Sequence, residues 1–153
     1  MSVIDWLLDG DPAIRWQVLR DLTNAPAGET AAERARVEHD GWGARLLALE
    51  DRDGLWDGGA CFPASYTGDE PGQPWTATMH TLQTLQLLGL DPASQSARRA
   101  AGLVRSKRQP DGRWLLDRIH PGRVYFDLES AGAPSRWNTL RALRVLQWWD
   151  GAG

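Results

Sequence analysis

The chain has one cysteine, Cys61, in 153 residues. A single thiol excludes an intrachain disulfide and fits a reducing, cytoplasmic setting. Long apolar runs are missing too: nothing approaches the ~20 residues of a membrane span. The opening Met-Ser-Val-Ile-Asp lacks the basic-then-apolar layout of a secretory leader. There is no excess of positive charge. The formal net charge of −3 predicts neither a nucleic-acid partner nor an anionic membrane surface. Long alternating apolar–polar runs are absent, which argues against a sheet; residues 123–129, Arg-Val-Tyr-Phe-Asp-Leu-Glu, are the one strand-like piece. No Gly-x-Ser-x-Gly, no informative Cys–His spacing and no phosphate-cradling glycine loop occurs, so the common nucleophile and nucleotide motifs are excluded. Tyr and Phe are scarce, two of each.

Against that scarcity stand nine Trp. Trp is large, seldom fully buried, and carries an N–H that needs an acceptor. Nine of them fit repeat packing, an aromatic-lined cavity or an interface. The rest of the composition, 42% hydrophobic and 24% charged, is that of an ordinary globular domain. Helix signals are frequent. Asp11-Pro12 and Asp91-Pro92 each place a capping residue before a proline suited to the first helical position. Thr30 and Glu33 have capping-box spacing. Apolar stripes such as Ile14, Val18, Leu22 and Trp75, Met79, Leu82 recur at helical spacing. These signals predict helices near 2–8, 12–23, 30–49 with a break at Gly41–Gly43, 75–89, 92–107 and 135–149. The fold class is all-α.

One short motif occurs twice. Asp53-Gly54-Leu55-Trp56 lies 58 residues before Asp111-Gly112-Arg113-Trp114. At the same shift Pro63 meets Pro121, Thr81-Leu82 meets Thr139-Leu140, and Leu85 and Leu88 meet Leu143 and Leu146. A constant shift across a turn, a long loop and a helix predicts an internal repeat. One domain, 1–153, is expected, made of a partial copy at 1–49 and units at about 44–101 and 102–153. Arg15-Trp16 in the partial copy matches Arg136-Trp137. In the repeated turn Gly supplies a left-handed residue, Asp bonds local N–H groups, and Trp folds back over a helix end.

These residues resemble a known superfamily. Gln109-x-Asp111-Gly112-x-Trp114 is similar to the QW repeat of squalene–hopene cyclases and of prenyltransferase β-subunits. Residues 74–92 resemble the inner helix after such a repeat. The two ends of the chain, "DGDPAIRWQVLRDL" and "PSRWNTLRALRVL", look like those of a bacterial squalene-cyclase-like family. The resemblance implies an α/α toroid around a central cavity, in which aromatic faces can stabilise cations. Two departures stand out. The protonating Asp-x-Asp-Asp of the cyclases is absent. Three helix pairs are too few to close the usual ring, so a half-ring completed by a second copy, a homodimer with the Trp148-Trp149 pair at its edge, is expected.

Candidate site residues follow from these readings. His80 sits on a polar helix stripe with Gln83, matched in the repeat by Asn138 and Arg141, and could serve as acid or base near neutral pH. Asp127 and Glu129 are two apart, so an extended chain would put both on one face and raise one pKa. Trp56, Trp75, Trp114 and Trp137 are candidate cavity walls. Phe62, Tyr66, Tyr125 and Phe126 are candidate lid aromatics on the long loops 57–74 and 115–134. Asp57, Cys61 and His80 invite comparison with the prenyltransferase zinc site, but their spacing does not reproduce it, and no metal or other cofactor is expected. Three functions stay open: a binder of an apolar small molecule (terpenoid- or polyketide-like), a cyclase-like enzyme with a different acid, and a helical-repeat interaction protein.

Overall fold

The computed structural model describes residues 2–60, 62–67, 75–117, 119 and 125–151. Among these the chain is mainly helical, with one two-stranded sheet. It divides into two compact units, residues 1–96 and 97–153. The first unit contains α1 (Val3–Leu8), α2 (Pro12–Leu22), α3 (Ala27–Ala35), a 3-10 turn (Arg36–Glu38), α4 (Gly41–Leu47) and α5 (Thr78–Leu88). The second begins within α6 (Gln95–Ser106) and continues through β1 (Trp114–Leu115), β2 (Pro134–Ser135) and α7 (Arg136–Asp150).

Local chemistry sets the helix starts. Ser2 and Asp5 form a capping box on α1, with Asp5 N–H donating to Ser2 Oγ at 3.1 Å and Ser2 N–H to Asp5 Oδ2 at 2.8 Å. Asp11 caps α2 as expected, its Oδ1 accepting from Ala13 N–H at 2.9 Å. Its Oδ2 accepts from Trp42 N–H at 2.8 Å. One carboxylate therefore satisfies orphan donors at the starts of α2 and α4.

Two expected starts are corrected. The Thr30–Glu33 box does not form: Glu29 and Thr30 N–H donate to Pro26 O at 3.0 and 3.2 Å, so α3 begins at Ala27 with Thr30 inside it. Glu33 instead accepts from Arg15 Nε at 2.6 Å. The break expected at Gly41–Gly43 in the 30–49 stretch falls where Asp40 turns extended and Gly41 takes φ +66°. Asp91-Pro92 makes a turn: Ala93 N–H donates to Asp91 Oδ1 and Ser94 N–H to Asp91 O, both at 2.9 Å, and α6 starts only at Gln95. The strand-like reading of 123–129 also fails in its described part, 125–129. The ladder pairs Trp114 with Ser135 and Leu115 with Pro134, antiparallel. Residues 125–128 are exposed, and Glu129 is drawn to the start of α7.

Each unit has its own anchoring aromatic. In the first, buried Trp16 of α2 donates its indole N–H to Leu88 O at 2.8 Å. Arg34 of α3 donates to Gly89 O at 2.9 Å and Leu90 O at 3.3 Å. The guanidiniums of Arg20 and Arg34 lie 4.5 and 5.1 Å from the Trp16 ring centroid. Orphan carbonyls and the negative end of the α5 dipole are thus met by an N–H and a cation. Gly89 ends α5 at φ +101°, and a Cβ built there would run into the Trp16 indole. In the second unit Ala101, Trp114, Ala142 and Leu146 form the core, with Val104 and Trp149 packed against it. Arg105 lies 4.1 Å from the Trp149 ring centroid and donates to Asp150 at 2.7 Å.

Candidate functional site

The Asp-Gly-x-Trp turn has the same backbone in both copies. Gly54 N–H donates to Asp51 O at 3.1 Å and Asp51 N–H to Leu55 O at 2.8 Å. Fifty-eight residues on, Gly112 N–H donates to Gln109 O at 2.9 Å and Gln109 N–H to Arg113 O at 2.8 Å. Gly54 and Gly112 sit at φ +77° and +85°, a conformation other residues adopt only at a cost. The expected Asp–backbone bond is present in the second copy, where Arg113 N–H donates to Asp111 Oδ1 at 3.0 Å. In the first copy Asp51 takes this role, accepting from Asp53 and Leu55 N–H, both at 2.9 Å.

Trp56 and Trp114 are structural pins. Each is buried, and each indole N–H donates to the carbonyl ten residues earlier: Trp56 to Leu46 O and Trp114 to Val104 O, both at 2.7 Å. These carbonyls lie in the last turns of α4 and α6, so the ring folds back over a helix end. Each backbone N–H then donates to a threonine on the following helix: Trp56 to Thr78 Oγ1 at 2.9 Å and Trp114 to Thr139 Oγ1 at 3.1 Å. The threonines are 22 and 25 residues beyond their tryptophans. The helices therefore correspond at a shift of 61, not the 58 of the turns. At 61, buried Thr81 and Leu85 meet buried Ala142 and Leu146. These two tryptophans do not present open ring faces to a ligand.

The other candidates are scattered. Trp75 is 63% exposed and meets the His80 imidazole edge to face, centroids 4.6 Å apart. Phe62 and Tyr66 stack in parallel at 5.0 Å. Phe62, Tyr66 and Trp75 belong to the loop, and His80 to the first turn of α5, where the loop base is closed by Thr78 N–H to Gly59 O at 3.1 Å, Thr78 Oγ1 to Gly59 O at 2.7 Å and Met79 N–H to Ala60 O at 2.8 Å. Gln83 is exposed on α5. In the second unit Tyr125 and Phe126 are exposed and neither forms a ring stack among the described residues. Trp137 is exposed while Trp16 is buried, so the Arg-Trp match at the two ends of the chain does not place these rings in like surroundings. Asn138 donates to Leu115 O at 2.9 Å, tying α7 to β1. Arg141 is half-buried on α7. The Trp148-Trp149 pair is divided: Trp149 packs against the core with Arg105 over its ring. Asp57 is exposed; Cys61 lies outside the described residues.

Asp127 is exposed in the loop before Glu129. Glu129 takes part in capping α7. Its carboxylate accepts from Ser135 Oγ and from Arg136 N–H, the latter at 2.6 Å. The Ser135 hydroxyl first, then the N–H groups of Arg136 and Trp137, hold its pKa below the usual glutamate range. That direction is opposite to the rise an acid catalyst would need.

At the level the fold defines, this is a helical chain built on a repeated Asp-Gly-x-Trp turn. Comparison with protein-family models, curated proteins and solved structures gives no match to it.

Proposed function

We propose that the chain is a toroid-like helical-repeat module that binds a flat apolar or aromatic small molecule at the aromatic loop of its first unit. The observation that carries this reading is the loop base. Four hydrogen bonds among Trp56, Gly59, Ala60, Thr78 and Met79 fix the ends of a segment bearing the stacked Phe62–Tyr66 pair and Trp75, which meets His80 on α5. Fixed ring faces cost little further ordering when a ligand stacks on them. His80 and Gln83 add polar groups of the kind that orient a ligand in a mainly apolar site. Terpenoid- and polyketide-like compounds have the flat apolar surface such rings accept.

Tryptophan emission tests the reading. Titration with retinoid-like and polyketide-like compounds should quench it, and most of that quenching should disappear in Trp75→Phe. Unchanged emission across squalene, a retinoid and a polyketide would remove the support for this function.

A further inference from the structure

The two units carry opposite charge. Residues 1–96 hold 15 Asp and Glu against 6 Arg, a formal −9, whereas residues 97–153 hold 11 Arg and Lys against 5 Asp and Glu, a formal +6. The whole-chain value of −3 conceals this. The same bias marks the neighbourhoods of the two turns, and at matched positions Glu50 stands opposite Arg108. Around Gly54 lie Glu50, Asp51, Asp53 and Asp57 with one Arg52; around Gly112 lie Lys107, Arg108 and Arg113 with one Asp111. The sequence of α6 contains three arginines and neither Asp nor Glu.

Helix α7 concentrates this charge on one face. Trp137, Arg141, Arg144 and Trp148 fall within about 60° of one another at 3.6 residues per turn. They lie away from the buried Ala142 and Leu146. Trp137 is 56% exposed and Arg144 is exposed. Among the described residues, neither Arg141 nor Arg144 is paired with a carboxylate.

We propose that this Trp–Arg face of α7 docks the acidic first unit of a second copy of the chain. Trp and Arg are the side chains that most often carry protein–protein affinity. Charge complementarity supplies the occupant: the same sequence contains both a basic face and an acidic unit. A nucleic acid would match the second unit and be repelled by the first, whereas a second copy uses both. In a two-fold dimer the contact would form twice, each copy giving one acidic and one basic surface. Opposite charge also steers the encounter, so association should depend strongly on salt.

The test is the mass of the full chain in solution, by light scattering behind size exclusion. A dimer is expected at low salt, converting to monomer at about 1 M salt, where the Debye length is ~3 Å. Arg141→Glu with Arg144→Glu should leave a monomer at every salt concentration and helical circular dichroism unchanged. If the double Glu variant loses helicity, Arg141→Gln with Arg144→Gln reads the same effect, with the dimer weakened by at least ~10-fold, about 1.4 kcal/mol. A chain that stays monomeric at low salt overturns the proposal. So does a dimer indifferent to salt and to both variants. A monomer whose α7 face instead binds a single-stranded oligonucleotide, with binding lost in the Arg variants, also overturns it.

Discussion

In the first copy of the repeat the Trp56 indole holds Leu46 O and its backbone N–H reaches Thr78; in the second, Trp114 holds Val104 O and reaches Thr139. The pin is the same to within 0.2 Å in every bond. What surrounds it is not. The first turn is acidic and the second basic. The first helix begins at Thr78 itself, whereas α7 begins three residues ahead of Thr139. The comparison separates two kinds of constraint. A buried indole N–H and a helix-end carbonyl must each find a partner, which fixes Gly, Trp and Thr. Exposed positions of the same turn answer to solubility and partners, so their charge is free to invert.

Truncating the pins should produce the largest effects. Trp56→Ala and Trp114→Ala each remove a buried ring and leave a carbonyl without its indole donor. A loss of about 3–5 kcal/mol is expected for either, by chemical denaturation. Near-equal losses would confirm that the two copies are energetic as well as geometric equivalents. A loss under ~1 kcal/mol at either site would break the equivalence. The threonines should then divide the copies. Thr78 accepts from Trp56 N–H and donates to Gly59 O, while Thr139 accepts from Trp114 N–H. Thr78→Val should cost about 2–3 kcal/mol and Thr139→Val about 1 kcal/mol, since each unmade buried bond exposes a desolvation penalty. Equal costs would show that the Gly59 bond contributes nothing.

Much of this was legible in residue order, and the misses have physical causes. The turn announces itself because Asp-Gly-x-Trp is a specific string, and the 58-residue shift holds there to the hydrogen bond. The helix register does not announce itself. A slip of three residues is nearly one helical turn, so the apolar stripe matches almost as well at 58 as at 61. Only the threonine that accepts the Trp N–H breaks the degeneracy, and Thr78 opposite Thr139 was the available signal. The helix starts at Ala27 and Gln95 are masked in the sequence by stronger-looking caps, Thr30 and Asp91-Pro92, within a few residues. The aromatic candidates were read by residue type alone. Type does not say that Trp56 and Trp114 spend their N–H groups on carbonyls while Trp75 and Trp137 remain exposed.

The smallest expected effect belongs to a feature found in the second copy alone. Helix α5 follows Ala77, which offers no side-chain cap, whereas α7 follows Ser135, whose hydroxyl accepts from Asn138 N–H at 2.9 Å and donates to Glu129. The Ser135 hydroxyl and the first N–H groups of α7 hold the Glu129 pKa below its ordinary value of 4.5. A carboxyl whose pKa is lowered by folding stabilises the native state when ionised. Its contribution is complete above the unfolded-state value and fades as pH falls through the lowered, folded-state value. Glu129→Gln should therefore be less stable than the parent near neutrality, and the difference should shrink as the solution is acidified below the ordinary glutamate range. Melting temperatures of both chains across that acid range measure it. A gap that stays constant with pH would mean that the Glu129 cap does not depend on its charge, and the two helix starts would then differ in geometry alone.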